Sequence, residues 1–136
     1  MPFDLDIVTP HGRAFQGPVD GVQLPGSEGE FGVLPGHERF LTALRIGEVA
    51  IRRGAQTVHA AISDGIAEVR GDAVKVLVET CELADAIDVA RAEQARSRAA
   101  DAIADLPEPA DPARLAELEA ALARAKNRLT VASRKA

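Results

Sequence analysis

The sequence has no tryptophan and no tyrosine, and four phenylalanines, Phe3, Phe15, Phe31 and Phe40, stand in their place. An aromatic platform for stacking bases or sugar rings is therefore poorly supported. Cys81 is the only cysteine, which excludes an intramolecular disulfide and a cysteine-rich metal framework; a small apolar residue closing a strand is the simpler role. There is no surplus of positive charge either. The formal net charge is -5, and nucleic-acid binding that neutralises phosphates with excess Lys and Arg is not expected. No apolar run approaches the ~18 residues that suggest a membrane span. The opening Met-Pro-Phe-Asp-Leu-Asp lacks the basic-then-apolar pattern of a signal peptide. A reducing, cytoplasmic setting fits these absences and leaves room for docking on a membrane-bound partner.

What is scarce is also unevenly spread. All eleven glycines lie between Gly12 and Gly71, and from Ala84 onward there are none, while alanine becomes frequent. In 136 residues, with 46% apolar and 27% charged, there is room for one modest core plus an appendage. The expected organisation is therefore two parts, residues 1–83 and 84–136. The first carries seven basic and twelve acidic residues and hence all of the net charge, and the second carries nine of each.

In the first part, period-two alternation recurs in short bursts: Phe3, Leu5 and Ile7; Val19, Val22 and Leu24; Val49 and Ile51; Val58, Ala60 and Ile62; Ile66 with Val69; and Val74 to Val78. Turn signals separate them, among them Pro10-His11-Gly12, Pro25-Gly26, Arg53-Gly54, Asp64-Gly65 and Gly71-Asp72. Short strands punctuated in this way indicate an antiparallel sandwich or barrel. With no helical stretch between them, a parallel sheet is not expected.

From about Asp88 the period becomes helical. Ala92, Ala95, Ala99, Ala102 and Leu106 step by three and four, as do Leu115, Leu118, Leu122, Ala125, Leu129 and Ala132. Pro107, Pro109 and Pro112 lie between the two stretches and stiffen the turn, and Asp111-Pro112 is a strong helix start. The fold class is thus α+β in two parts, an N-terminal antiparallel β-sandwich followed by a C-terminal antiparallel α-helical hairpin. Because the first seam is nearly all alanine, each contact contributes much less than the ~1.5–3 kcal/mol of a large buried apolar side chain. A hairpin built this way is marginal alone and close in free energy to an opened state. After Glu119 every charge is positive: Arg124, Lys126, Arg128, Arg134 and Lys135. This end either matches the helix dipole as a solvated terminus or offers a basic surface to an acidic partner.

No catalytic constellation can be assembled. His11, His37 and His59 have neither metal-ligand spacing nor a paired carboxylate frame. Gly26-Ser27-Glu28-Gly29-Glu30-Phe31-Gly32 lacks the Gly-Lys-Ser/Thr ending of a phosphate loop, and turn formation is its better reading. No catalytic residue and no metal site is expected.

The stretch Gly26 to His37, with Leu41-Thr42-Ala43-Leu44 and Gly47 after it, resembles the epsilon subunit of the F-type ATP synthase, as does the sandwich-plus-hairpin layout across essentially the whole chain. Ala125 to Val131 resembles the end of that family's second helix. Arg39 departs from the family, which often has Pro there. The resemblance implies a noncatalytic central-stalk rotor subunit, bound to the gamma subunit and the c-ring, that couples proton-driven rotation to the catalytic head. It places Glu30 toward the c-ring and His37 beside gamma. It also implies that the hairpin, once extended, sets the basic surface of Arg124, Lys126, Arg128, Arg134 and Lys135 against acidic loops of the β subunits and inhibits ATP hydrolysis. The association with membrane is peripheral, through the complex, at the cytoplasmic face of the bacterial inner membrane. Ile87-Asp88-Val89-Ala90-Arg91-Ala92 is similar to the Ile/Leu-Asp-x-x-Arg-Ala pattern of the ATP-binding bacterial members. Carried across by position, Glu82 and Asp88 face the adenosine, and Arg91, Arg98, Arg124 and Arg128 gather about the phosphates of a regulatory ATP; no cofactor is required. Asp88 also reads as a plain helix cap, and Arg91 and Arg98 as exposed helix charges. The alternatives to a rotor subunit are a free-standing β-sandwich ligand module and a nucleotide sensor outside any rotary complex.

Overall fold

The structure is a computed structural model, and it describes residues 2–135. Ten strands come first: β1 (Phe3–Thr9), β2 (Gly12–Val19), β3 (Gly21–Gly26), β4 (Gly29–Val33), β5 (Phe40–Leu44), β6 (Gly47–Arg53), β7 (Gln56–Ile62), β8 (Gly65–Arg70), β9 (Ala73–Val78) and β10 (Cys81–Leu83). A single 3-10 turn, Ala84–Ala86, leads into α1 (Val89–Ala104) and α2 (Pro112–Ala132). The strands follow the order β10-β7-β6-β3-β5-β8-β9-β1-β2, with β4 paired to β3. The far end of this path folds back so that β2 lies against β6, and the inward rows of the strands enclose one core.

That core is made by the alternation. Leu5, Ile7, Val49, Ile51, Val69 and Val76 are fully buried, while their neighbours along each strand face outward. On β8 the buried partner of Val69 is Ala67, and Ile66 is 42% exposed. The inward row therefore runs through 67 and 69, one position off the expected Ile66. The segment Gly26–Gly32 is a turn as expected, at Ser27 and Glu28, and then continues as β4.

One pairing departs from the otherwise antiparallel pattern. β1 and β9 are parallel, with Leu5 opposite Val74 and Ile7 opposite Val76. Parallel neighbours need a long crossover. Here seven strands of the sandwich supply it in place of a helix, and the other strand pairs among the described residues are antiparallel.

The helices start where their caps allow. Asp88 Oδ1 accepts from the Arg91 amide at 3.1 Å, and Asp111 Oδ1 accepts from the Ala113 amide at 3.0 Å with Pro112 in the first turn. α1 ends at Ala104, so Leu106 lies just beyond it. Ala92 and Ala99 of α1 and Leu118 and Ala125 of α2 are buried along the seam. Small side chains let the two backbones approach, and Leu118 is the one large side chain buried below a tenth exposure in that seam.

Candidate functional site

The second helix touches the sandwich through a row that the apolar periodicity did not reveal. Asn127, Arg128 and Val131, with Arg134 in the turn just past its end, recur at spacings of one, three and three, and so lie along one side of α2 and its C-terminal turn. Val131 is fully buried and, with Ala132, packs on Ala61, Ala84 and Ile87, a small apolar cluster separate from the main core. Around it the contacts are polar. Asn127 Nδ2 donates to the Gly47 carbonyl at 2.8 Å, and Arg128 Nε donates to Glu82 Oε1 at 2.8 Å. Arg134 Nε donates to Glu48 Oε2 at 3.2 Å, and Lys135 Nζ donates to the Ile87 carbonyl at 2.8 Å. The hairpin is therefore fastened by replaceable polar contacts around a patch of few apolar atoms. Such contacts, partly solvated, are individually weak.

Three of the five residues expected to form the basic surface are engaged in this docking: Arg128, Arg134 and Lys135. Arg124 and Lys126 make no ion pair among the described residues, and Lys126 is exposed.

Beside the docked row, a cleft of about 350 Å³ opens between β10, the start of α1 and α2. Its walls include Glu82, Asp88, Arg91, Arg98 and Arg128, five of the six residues assigned to nucleotide by resemblance. Arg124, the sixth, lines a separate, smaller crevice with Glu82, Asn127 and Arg128. Arg91 and Arg98 are exposed and have no acidic partner among the described residues. Ala92 and Ala95 form the floor between them, leaving room that larger side chains would fill. Asp88 is both the cap of α1 and part of the wall. Chemically the cleft offers guanidinium forks suited to phosphate oxygens, with two carboxylates able to accept from amino or hydroxyl groups. No group of three or more His, Cys, Asp or Glu side chains among the described residues is placed to hold a metal ion.

The other candidate positions lie at the β3–β4–β5 end. Glu30 is exposed on β4 and accepts from Gln23 Nε2 at 3.3 Å. His37, on the loop between β4 and β5, tilts against Phe40 with ring centroids 5.1 Å apart, and Phe40 meets Phe31 edge-on at 5.4 Å. This small aromatic cluster fixes the loop while Leu34 and Leu41 project outward, 56% and 66% exposed. Their exposure was not visible in the sequence, because an apolar residue in a strand or loop pattern reads as core. Arg39, the departure from the family pattern, is exposed in that loop.

Cys81 is half-buried at the start of β10 with a free thiol that burial, and secondarily the charge of Glu82, pushes up to about 11. It is a packing residue. No helix among the described residues is long and apolar enough to cross a membrane.

Comparison with known proteins covers both parts of the chain. The family model described as the ATP synthase Delta/Epsilon chain beta-sandwich domain matches residues 2–84, and that of the Delta/Epsilon chain long alpha-helix domain matches residues 85–133. The chain is 46% identical over 132 residues to the ATP synthase epsilon chain of Geotalea uraniireducens, covering 97% of this chain and 94% of that one. It is likewise 46% identical over 133 residues to the ATP synthase epsilon chain of Geobacter sulfurreducens, with the same coverage of both chains. Among solved structures, a chain of the Euglena gracilis mitochondrial ATP synthase OSCP/F1/c-ring assembly has a similar fold. Its TM-score is 0.78 at 24% identity, over 93% of this chain and 78% of that one.

Proposed function

Because the chain belongs to the ATP synthase delta/epsilon chain family, we propose that it is a noncatalytic rotor subunit of the central stalk. Its sandwich, residues 1–83, couples c-ring rotation to the catalytic head, and its hairpin, residues 84–136, restrains ATP hydrolysis. The observation that carries the reading is the match along nearly the full length of both chains, sandwich and helices together. In this reading gamma and the c-ring meet the sandwich, with His37 beside gamma and Glu30 toward the c-ring. The packed Phe31–Phe40–His37 cluster supports it by bracing the end of the sandwich where Leu34, on the loop, and Leu41, on β5, are exposed. The complex, and with it this subunit, works at the cytoplasmic face of the bacterial inner membrane.

The hairpin acts by leaving the sandwich. Undocking frees Arg128, Arg134 and Lys135 to join Arg124 and Lys126 as a basic face for acidic loops of the β subunits. Few apolar contacts are lost in the exchange, so charge complementarity in the head is able to tip the balance. ATP in the cleft would favour the docked form, because the cleft's walls come from β10, α1 and α2 together. Glu82 and Asp88 would meet the adenosine and the arginines the phosphates. A ligand that binds one conformer better shifts the population by its differential affinity alone.

Removing residues 84–136 tests the regulatory role: ATP hydrolysis by the assembled head rises while capture of gamma by the sandwich persists. An unchanged hydrolysis rate refutes inhibition by the hairpin. For the nucleotide, titration of the full chain with ATP gives saturable binding at or below millimolar concentration, and Arg91→Ala with Arg98→Ala removes it. Binding indifferent to both substitutions refutes the cleft as the site.

A further inference from the structure

The end of α2 is held down at Glu48, and a histidine stands at the same carboxylate. Glu48 on β6 and His59 on β7 are diagonal neighbours on the face that α2 covers, since Glu48 lies opposite Ala61 and Ala50 opposite His59. Glu48 Oε2 is 3.2 Å from Arg134 Nε and 3.1 Å from His59 Nδ1. The histidine approach is not aligned as a hydrogen bond. Among the described residues, Nδ1 of His59 is the buried side-chain nitrogen left without a hydrogen-bond partner. Both arginine contacts to Glu48 are long, 3.2 and 3.5 Å, so the grip is loose.

We propose that Glu48, His59 and Arg134 form a proton-operated latch, in which protonation of His59 gives Glu48 a second cation and releases the C-terminal turn of α2 from the sandwich. The sign follows from the charges. With His59 neutral, Glu48 has one cationic partner, and that partner arrives on the hairpin. With His59 protonated, the carboxylate is neutralised from within the sandwich, and Arg134 is repelled by the new charge beside it. Proton and Arg134 therefore compete for one carboxylate, and by linkage acidification favours the undocked hairpin.

The surrounding charges do not reverse this. Arg52 on β6 donates to the Asp20 carbonyl at 3.3 Å, and Arg53 lies 5.3 Å over the Phe15 ring. Glu82 on β10 is occupied by Arg128, and Lys135 is turned to the Ile87 carbonyl. Asp85 of the 3-10 turn lines the groove of about 760 Å³ that also contains His59 and Arg134, and its negative charge is present whether the hairpin is docked or not. The latch concerns docking alone and holds or fails independently of whether the hairpin inhibits hydrolysis.

The test uses the full chain with distance labels at Ala55→Cys and Thr130→Cys in a Cys81→Ser background, read between pH 8 and pH 5.5. The ratio of undocked to docked chains rises about threefold on acidification, the scale of one partly exposed ion pair. His59→Asn abolishes the rise, with β-sheet circular dichroism verifying the fold; if that variant misfolds, Arg134→Gln replaces it, giving more undocked chain at pH 8 and no further response. A flat profile in the parent chain, or an unchanged rise in His59→Asn or Arg134→Gln, overturns the proposal.

Discussion

Arg128 Nε meets Glu82 Oε1 at 2.8 Å across 46 positions of sequence, joining the second helix to the last strand of the sandwich. The same pair forms part of the wall of the arginine-lined cleft, so docking and anion recognition share a residue. The two side chains are 27% and 37% exposed, and solvent screening limits the pair to about 1 kcal/mol. Arg128→Ala therefore shifts the hairpin toward the undocked form by a factor of about five. Hydrogen exchange of the α2 amides reads the shift, which appears without change in the sandwich strands.

Leu118 bears a different load. It is 8% exposed in a seam whose other buried positions are the alanines Ala92, Ala99 and Ala125. Leu118→Ala costs about 2 kcal/mol, the low end for such a truncation because the site lies near the surface. The expected result is loss of helical signal at lower temperature, while the sandwich, whose core is a separate cluster, melts as before. A single coincident transition moved downward would refute that separation.

The sandwich and the hairpin were legible because their periods differ, and because turn glycines stop where helix caps begin. Asp88 and Asp111 marked both helix starts correctly. The parallel β1–β9 pair was not legible, since pairing across most of the chain leaves no local signal. Nor was the docking row of α2, because Asn127, Arg128 and Arg134 are polar and a search for apolar stripes passes over them. Val131 was missed for a different reason: it is apolar, but it lies on the row that faces the sandwich, off the stripe of the seam with α1. The cleft was reached by resemblance alone, and the chain brings five of its six assigned residues around it, from β10, α1 and α2, while Arg124 lines the neighbouring crevice.

Cys81 offers a check on the docked sandwich edge. Its thiol is raised from about 9 to about 11, chiefly by burial. At pH 8 the thiolate fraction is then about a hundredfold below that of a free thiol. Alkylation of the native chain is expected to be slower by at least that factor, and to recover the ordinary rate in denaturant. The sign is that of an acid kept neutral by burial. Reactivity remains low through pH 9 and climbs as pH approaches 11; rapid modification at pH 8 would contradict this placement.

Among the sandwich glycines, Gly65, the first residue of β8, has the closest neighbours to where a Cβ would stand. It pairs with Leu44 of β5 on one side and with Val78 of β9 on the other. A Cβ built there meets the Leu77 carbonyl oxygen at 2.0 Å, Val78 Cγ1 at 2.7 Å and Val78 Cα at 2.9 Å. Two of these three atoms are backbone, so no change of rotamer relieves the overlap, and the two neighbouring ladders oppose a shift of the strand. Gly65→Ala is therefore expected to destabilise the sandwich by more than about 3 kcal/mol, at the severe end for a single substitution. For a domain of this size the melting temperature falls by roughly 12 °C or more. Gly32 on β4 is the control: it is also a strand glycine, but a Cβ there meets nothing within 4 Å. Gly32→Ala should leave the melting temperature unchanged or slightly raised, because it narrows the unfolded ensemble without straining the folded one. Equal losses at the two positions would mean that glycine is needed in these strands for a reason other than the contact at Leu77.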